Sequence, residues 1–348
     1  MRKTYEQAKQ VLVLDAELQC VQQHAKSDKI LVKLLLSGWR QRLWTLQEGA
    51  LAKRIDVELT ESTAHIDELI IDQVETVLDC SYMVGVPIRK LLQKMLRFQS
   101  LDNTRIERMQ VQDMLMAFKE RTTSRKGDET ICFATFLDLD PTALLIADEP
   151  QRMVLFLKML PFVPDNILFA SGPRLPFPGF RWAPATLLPP YGVNIIVPET
   201  LNTPSTNEDG TVSRQSGPLS TLRPDGLQVT LPGLRITRHP LQLSEVMFLI
   251  LPNGEVVGAV NIRTDRVESM QHQDRLAFLC IQPKVTEGQD RAALVSILDE
   301  GGVGFVRAQY CCDVGLIALP ATDEADVADD PQTVEAGWMD GFPTWVVD

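Results

Sequence analysis

Histidine and cysteine are the side chains of this protein best suited to metal or thiol chemistry, and their spacing argues against both. His24, His65, His239 and His272 each stand alone, with no second ligand at i+3 or i+4 on a convincing helix, so no metal site is expected. Cys20, Cys80, Cys132, Cys280, Cys311 and Cys312 lack a CxxC spacing and lie in apolar or helical surroundings. That pattern points to reduced core thiols rather than disulfides or zinc. Cys311 and Cys312 are adjacent, which allows a reactive dithiol, but vicinal bridges are strained and core packing is the expectation. Gly301-Gly302-Val303-Gly304 precedes a strand-like run instead of a helix, so it does not read as a phosphate loop. The densest string is Trp39-Arg40-Gln41-Arg42-Leu43-Trp44-Thr45-Leu46-Gln47-Glu48. On residue types alone, Trp39 and Trp44 are core anchors of an amphipathic helix, Arg42 is a partner for a nearby carboxylate, and Glu48 is a solvated helical side chain.

The elements around this string have their own signatures. Val11 to Leu14 is an apolar run closed by Asp15, as in a buried parallel strand whose sheet is covered on both faces. Trp39, Leu43, Leu46 and Ala50 recur at i, i+4, i+7 and i+11, with Ser37 as the N-cap, so one helix is predicted from Ser37 to Lys53. Ile55 to Leu59 alternates apolar and acidic residues like a half-exposed strand, which makes residues 11–59 a strand, helix, strand unit. Helices are predicted over 65–79, 87–98 and 104–120, and a buried helix over Ile131 to Leu137 with Asp128 at its start.

Composition then shifts, since 16 of the 22 prolines fall between Pro150 and Pro252. A helix over Arg152 to Leu160 gives way to Pro/Gly-rich turns, and 198–217 reads as an exposed polar loop. Short apolar runs at 228–231, 234–237, 246–251, 256–262, 276–281, 293–298 and 303–306 predict a β-rich region, and Asn253-Gly254 predicts a tight primed hairpin turn. The acidic run 322–330 reads as a solvated tail. The expected divisions are 1–60, a helical region 61–165, a Pro/Gly-rich linker and β-rich region 166–320, and a tail 321–348.

With 348 residues, 45% of them hydrophobic, the chain can bury a sizeable core, and no apolar run approaches the roughly 18 to 20 residues of a membrane span. A net charge of −12 opposes a nucleic-acid polyanion. The polar start of the chain lacks a secretory signal, which predicts a cytoplasmic protein.

The string from Trp39 closely resembles the third block of the fungal heterokaryon incompatibility (HET) domain, Trp-x-x-Arg-x-Trp-Thr-x-Gln-Glu, matching it at Trp39, Arg42, Trp44, Thr45, Gln47 and Glu48. Upstream, Met1, Tyr5 and Ala8 leading into Val11 to Asp15 look like the family's preceding helix and strand, and downstream Arg121, Ser124 and Asp128 resemble a polar element that follows such domains. The family's two earlier signature blocks are absent, so residues 1–60 resemble the carboxyl-terminal part of a HET domain. The expected fold is α+β: a partial TIR-like α/β unit, a helical region and a β-rich C-terminal region.

HET domains are similar to TIR domains, some of which cleave NAD with a glutamate four residues after a tryptophan, as Glu48 follows Trp44. The resemblance implies that Glu48 would hydrogen-bond ribose hydroxyls and stabilise oxocarbenium-like charge as the nicotinamide bond breaks, with NAD as substrate and no resident cofactor. It further implies a role in non-self recognition and cell death, with other proteins as partners. The alternatives are a non-catalytic interaction or scaffold protein and a truncated gene product.

Overall fold

A computed structural model describes residues 2–22, 25–69, 121–160, 163–188, 205–206, 212–213, 219–237, 244–268, 275–280, 285, 289–300, 305–319, 332–339, 341 and 343–348. The chain is mixed α+β and divides into two units, residues 1–159 with 188–190, and residues 160–187 with 191–348. Of the helix predicted over 65–79, His65 lies in a strand and residues 66–69 are helical; its remainder, the helices predicted over 87–98 and 104–120, the acidic run 322–330 and most of the loop 198–217 lie outside the described residues.

In the first unit, α1 (Arg2–Gln7) precedes β1 (Val11–Val13), and β1 pairs in parallel with β2 (Ile55–Glu58) in the register Val11↔Ile55. A parallel pair needs a crossover, and three helices supply it: α2 (Ser27–Leu36), α3 (Gly38–Gln41) and α4 (Thr45–Leu51). The strand, helix, strand reading of 11–59 therefore holds, with three differences. The helix predicted from Ser37 to Lys53 is broken, because Arg42 is extended (φ −77°, ψ 136°) and bridges Thr122 in parallel. Leu12 is 43% and Leu14 62% exposed, so β1 is not covered on both faces. Conversely, β2 is not half-exposed: Asp56 is buried at 2%, because β3 (Thr63–His65) pairs with β2 and places His65 opposite it.

Val13, Leu18, Val21, Ile30, Leu31, Leu34, Ile55 and Val57 form the core of this α/β layer. Beyond residue 120 the described helices of this unit are α5 (Asp128–Phe136), α6 (Thr142–Ile146) and α7 (Glu149–Met159). As predicted, α5 is a buried helix that starts at Asp128, and its Phe133 meets Phe156 of α7 at 5.7 Å between ring centroids.

The second unit is β-rich. Its strands are β4 (Val163–Pro164), β5 (Ser205–Thr206), β6 (Val212–Ser213), β7 (Leu219–Arg223), β8 (Gly226–Thr230), β9 (Gly233–Ile236), β10 (Val246–Ile250), β11 (Val256–Val260), β12 (Leu276–Cys280), β13 (Gln289–Asp299), β14 (Val306–Ala318), β15 (Thr333–Trp338) and β16 (Thr344–Val347). A short helix, α8 (Thr264–Glu268), follows β11. Seven strands close into a barrel in the order β11-β10-β15-β9-β12-β13-β14, with β14 pairing back to β11. The first residues of β14, Val306 to Ala308, pair with β16 on the edge that β11 takes at 315–318, and β8, β7 and β4 extend that wing.

Leu234, Leu249, Phe278, Leu294 and Leu316 belong to one buried cluster inside the barrel strands. Residues 333–338 and 344–347, which composition places in a tail, are instead β15 and β16, short strands held by pairing with β9, β10, β14 and β8. Among the described residues no helix is long and apolar enough to cross a membrane.

The hairpin between β10 and β11 forms where Asn253-Gly254 predicts it, but through a different turn. Gly254 has φ +86° and its N–H reaches Leu251 O at 2.9 Å, while Asn253 is not in the left-handed region. Leu251 N–H in turn donates to Glu255 O at 2.9 Å. This is a three-residue loop closed by a left-handed glycine: Pro252 would be the paired residue before an Asn253-Gly254 primed turn but has no N–H to close it, and its φ suits the first position of the longer loop.

Candidate functional site

The string from Trp39 is placed by the end of β1. Asp15, just past that strand, accepts from Trp39 N–H through Oδ2 at 3.2 Å, and Ser37 accepts from Arg40 N–H at 3.2 Å, as its assignment as the N-cap predicts. Two carboxyl or hydroxyl oxygens thus satisfy amides that a helix start leaves free. α3 ends after one turn, since the extended Arg42 is clasped by Thr122 N–H donating to Gln41 O (2.7 Å) and Leu43 N–H donating to Thr122 O (2.9 Å). Thr45 opens α4 and ties the break, its hydroxyl donating to Arg42 O at 2.7 Å and lying against Trp39 O.

The downstream residues singled out by sequence converge on this break in two cases of three. Arg121 is 3% exposed, and its Nη1 donates to Arg42 O at 2.8 Å and to Thr45 Oγ1 at 3.0 Å. Asp128, in the first turn of α5, accepts from Trp44 Nε1 through Oδ2 at 3.0 Å. Ser124 is exposed and contributes no hydrogen bond to the cluster. Gln47 is fully buried and its Nε2 donates to Cys132 O at 3.3 Å, stitching α4 to α5. Burial pushes the Cys132 thiol up to about 12, so it is an inert core group at neutral pH. Arg42 itself is exposed; the cluster uses its carbonyl, not its guanidinium.

Glu48 is half-buried, and each of its carboxylate oxygens meets one donor. Trp39 Nε1 donates to Oε2 at 2.8 Å, and the Tyr5 hydroxyl of α1 donates to Oε1 at 3.3 Å. Burial, followed by the Glu48 charge, raises the Tyr5 pKa above its usual 10.0. An ionised carboxylate offers about four lone-pair sites, so Glu48 can accept two more hydrogen bonds, including those of a vicinal diol. Asp15 and Tyr5 are the residues that sequence reasoning did not place here. The signal for Asp15 is an acid closing a strand, where it can face the next helix start; Tyr5 carries no local signal, because its partner lies 43 positions away.

A second polar cluster surrounds Asp56. His65 Nδ1 lies 3.1 Å from Asp56 Oδ1 and Arg54 Nε 3.0 Å from Oδ2, Gln10 Nε2 also donates to Oδ2, and His65 Nε2 lies 3.3 Å from Asp67 Oδ2. His65 therefore does not stand alone, although among the described residues no group of three or more His, Cys, Asp or Glu is placed to hold a metal.

The five described cysteines are all unbridged, four of them buried as predicted and Cys20 exposed. Cys311 and Cys312 are both buried because a register shift between Leu294 and Val295 leaves Cys311 as an extra residue in β14, so consecutive side chains avoid opposite faces.

The geometry defines a class: an α/β layer carrying one partly open carboxylate on a crossover helix, on a chain with a seven-strand β-barrel. Comparison of the chain with protein-family models, with curated proteins and with solved structures finds no match.

Proposed function

We propose that the chain is a HET-domain-like protein of fungal non-self recognition and cell-death signalling, with residues 1–60 as its TIR-like part and other proteins as its partners. In this reading it is cytoplasmic, does not span a membrane and binds no nucleic acid. Glu48 is the carboxylate that meets NAD as substrate, accepting from the ribose hydroxyls and stabilising the cationic charge that develops as the nicotinamide bond breaks. The observation that supports it is the fate of the Trp39 to Glu48 string. Trp39 and Thr45 and the Arg42 carbonyl tie α3 to α4 across the break, Trp44 and Gln47 tie the string to α5, and Glu48 retains free acceptor capacity.

Purified protein incubated with NAD should release free nicotinamide, and Glu48→Ala should abolish that release. Wild-type protein that leaves NAD intact overturns the enzymatic reading. A second reading, a non-catalytic interaction protein, is favoured by the two donors already on Glu48, Trp39 Nε1 and Tyr5 OH. It predicts intact NAD together with a loss of stability in Glu48→Ala.

A further inference from the structure

We propose that α1 is a releasable strap that closes over Glu48 and controls ligand access to its Oε1 atom; this regulation rests on the reading of Glu48 as the carboxylate that meets substrate. The helix is six residues long and none of its residues is buried. Isolated helices shorter than about 12 residues are marginal in water, so α1 is held by docking rather than by its own propensity. Among the described residues two side chains dock it. Arg2 Nη1 donates to Phe136 O at 2.8 Å at the end of α5, and the Arg2 guanidinium also lies 3.6 Å from Asp138 Oδ1. Tyr5 supplies the other pin, and its acceptor is Glu48 itself.

The two pins differ in consequence. The Arg2 contact fastens the strap to a backbone carbonyl and leaves the carboxylate untouched. The Tyr5 contact occupies the oxygen that faces α1, while Trp39 holds the other oxygen from inside the unit. Undocking therefore frees Oε1 and leaves Glu48 oriented by Trp39. Elements with few buried apolar contacts open locally far below the global unfolding free energy, which is the property a strap needs. A ligand hydroxyl that replaces the Tyr5 phenol on Oε1 competes with the strap directly.

The test is carboxyl labelling with a water-soluble carbodiimide and an added amine, quantified at each site by mass spectrometry, on wild type, Tyr5→Phe and Arg2→Ala/Tyr5→Phe. Asp56, buried at 2% in the β2–β3 pair, serves as the internal control for an intact unit. Glu48 should be labelled about five-fold faster in Tyr5→Phe, since one net hydrogen bond corresponds to roughly that factor, and faster still in the double variant. Hydrogen exchange of residues 2–7 should accelerate in parallel. An unchanged Glu48 labelling rate overturns the strap, as does unchanged exchange of residues 2–7 in the double variant. If Asp56 labelling also rises in the double variant, the single variant decides. Nicotinamide release is followed separately: faster labelling without nicotinamide supports the strap and overturns NAD cleavage, whereas nicotinamide release that does not rise with labelling overturns the strap.

Discussion

Replacing Arg121 by Met while replacing Thr45 by Val tests whether the sequence string is a mechanical junction before it is anything else. Arg121 is 3% exposed and its Nη1 makes two hydrogen bonds, to Arg42 O and Thr45 Oγ1. Hydrogen bonds from a charged donor contribute about 1.5–3 kcal/mol each, and the acceptors left behind are partly buried. Relief of guanidinium desolvation offsets part of this, so Arg121→Met should cost about 3 kcal/mol. Thr45→Val keeps the shape and loses a hydroxyl that donates to Arg42 O and accepts from Arg121, at about 1.5–3 kcal/mol. The two residues share one bond, so the double variant should fall short of the sum by about 1–2 kcal/mol. The assay is native-state hydrogen exchange at the Leu43 and Thr122 amides, whose partners are Thr122 O and Gln41 O. These amides report the junction itself, which global denaturation of a two-unit chain does not. A cost below about 1 kcal/mol for Arg121→Met, or additivity within about 0.5 kcal/mol, refutes the junction.

Three further outcomes follow from the geometry. Because burial and Glu48 raise the Tyr5 pKa above 10.0 in the folded state, the docked phenol stabilises α1 fully below pH 10 and progressively less as pH rises beyond it; ultraviolet difference titration of wild type against Tyr5→Phe should place the lost transition above pH 10. Burial raises the Cys132 thiol to about 12 and Cys312 to about 11, so a thiol reagent at pH 8 should modify Cys20 in the native protein and spare Cys132, Cys280, Cys311 and Cys312 until denaturant is added, as peptide mapping would show. A Cβ at Gly233 would sit 2.6 Å from Cζ2 of the fully buried Trp345, whose indole is fixed by Nε1–H donating to Leu231 O at 3.0 Å; Gly233→Ala should therefore lower the urea midpoint by the equivalent of about 1–3 kcal/mol, while Gly254→Ala should act through its φ of +86° alone.

Much of the fold is legible where local pattern and tertiary packing agree. The runs at 246–251 and 276–281 become β10 and β12, and the apolar run before Asp15 becomes a parallel strand, since each is dense enough in apolar residues to bury at least one face; β12 is buried on both, β10 and β1 are not. What local pattern cannot show is a competing partner far along the chain. The stripe Trp39, Leu43, Leu46, Ala50 predicts one continuous helix, and Leu43, Leu46 and Ala50 are indeed buried, but Thr122 takes the backbone of Arg42 into an extended bridge 80 residues away. Asp56 alternates with apolar neighbours like a solvent-facing residue, and is buried because Gln10, Arg54 and His65 converge on it. β14 is thirteen residues long with a bulge at Cys311, and its Gly315 and paired cysteines gave no period-2 signal over that length.

The candidate site divides along the same line. A motif shared by residue type is equally well explained by folding and by chemistry, and the hydrogen-bond inventory separates the two. Thr45 spends its hydroxyl on Arg42 O and Arg121, Trp44 its only donor on Asp128, and Gln47 is sealed at 0% exposure with its amide on Cys132 O. None of these groups can turn to a ligand without unmaking the junction. Glu48 differs because a carboxylate with two donors still has about two lone pairs to offer, and because one of those donors, Tyr5, sits on an element without buried residues. Substitutions at Thr45, Trp44 and Gln47 must therefore register first as lost stability. Glu48→Gln keeps an acceptor toward Trp39 Nε1 and removes the charge, so at this position chemistry can be lost while the junction stands.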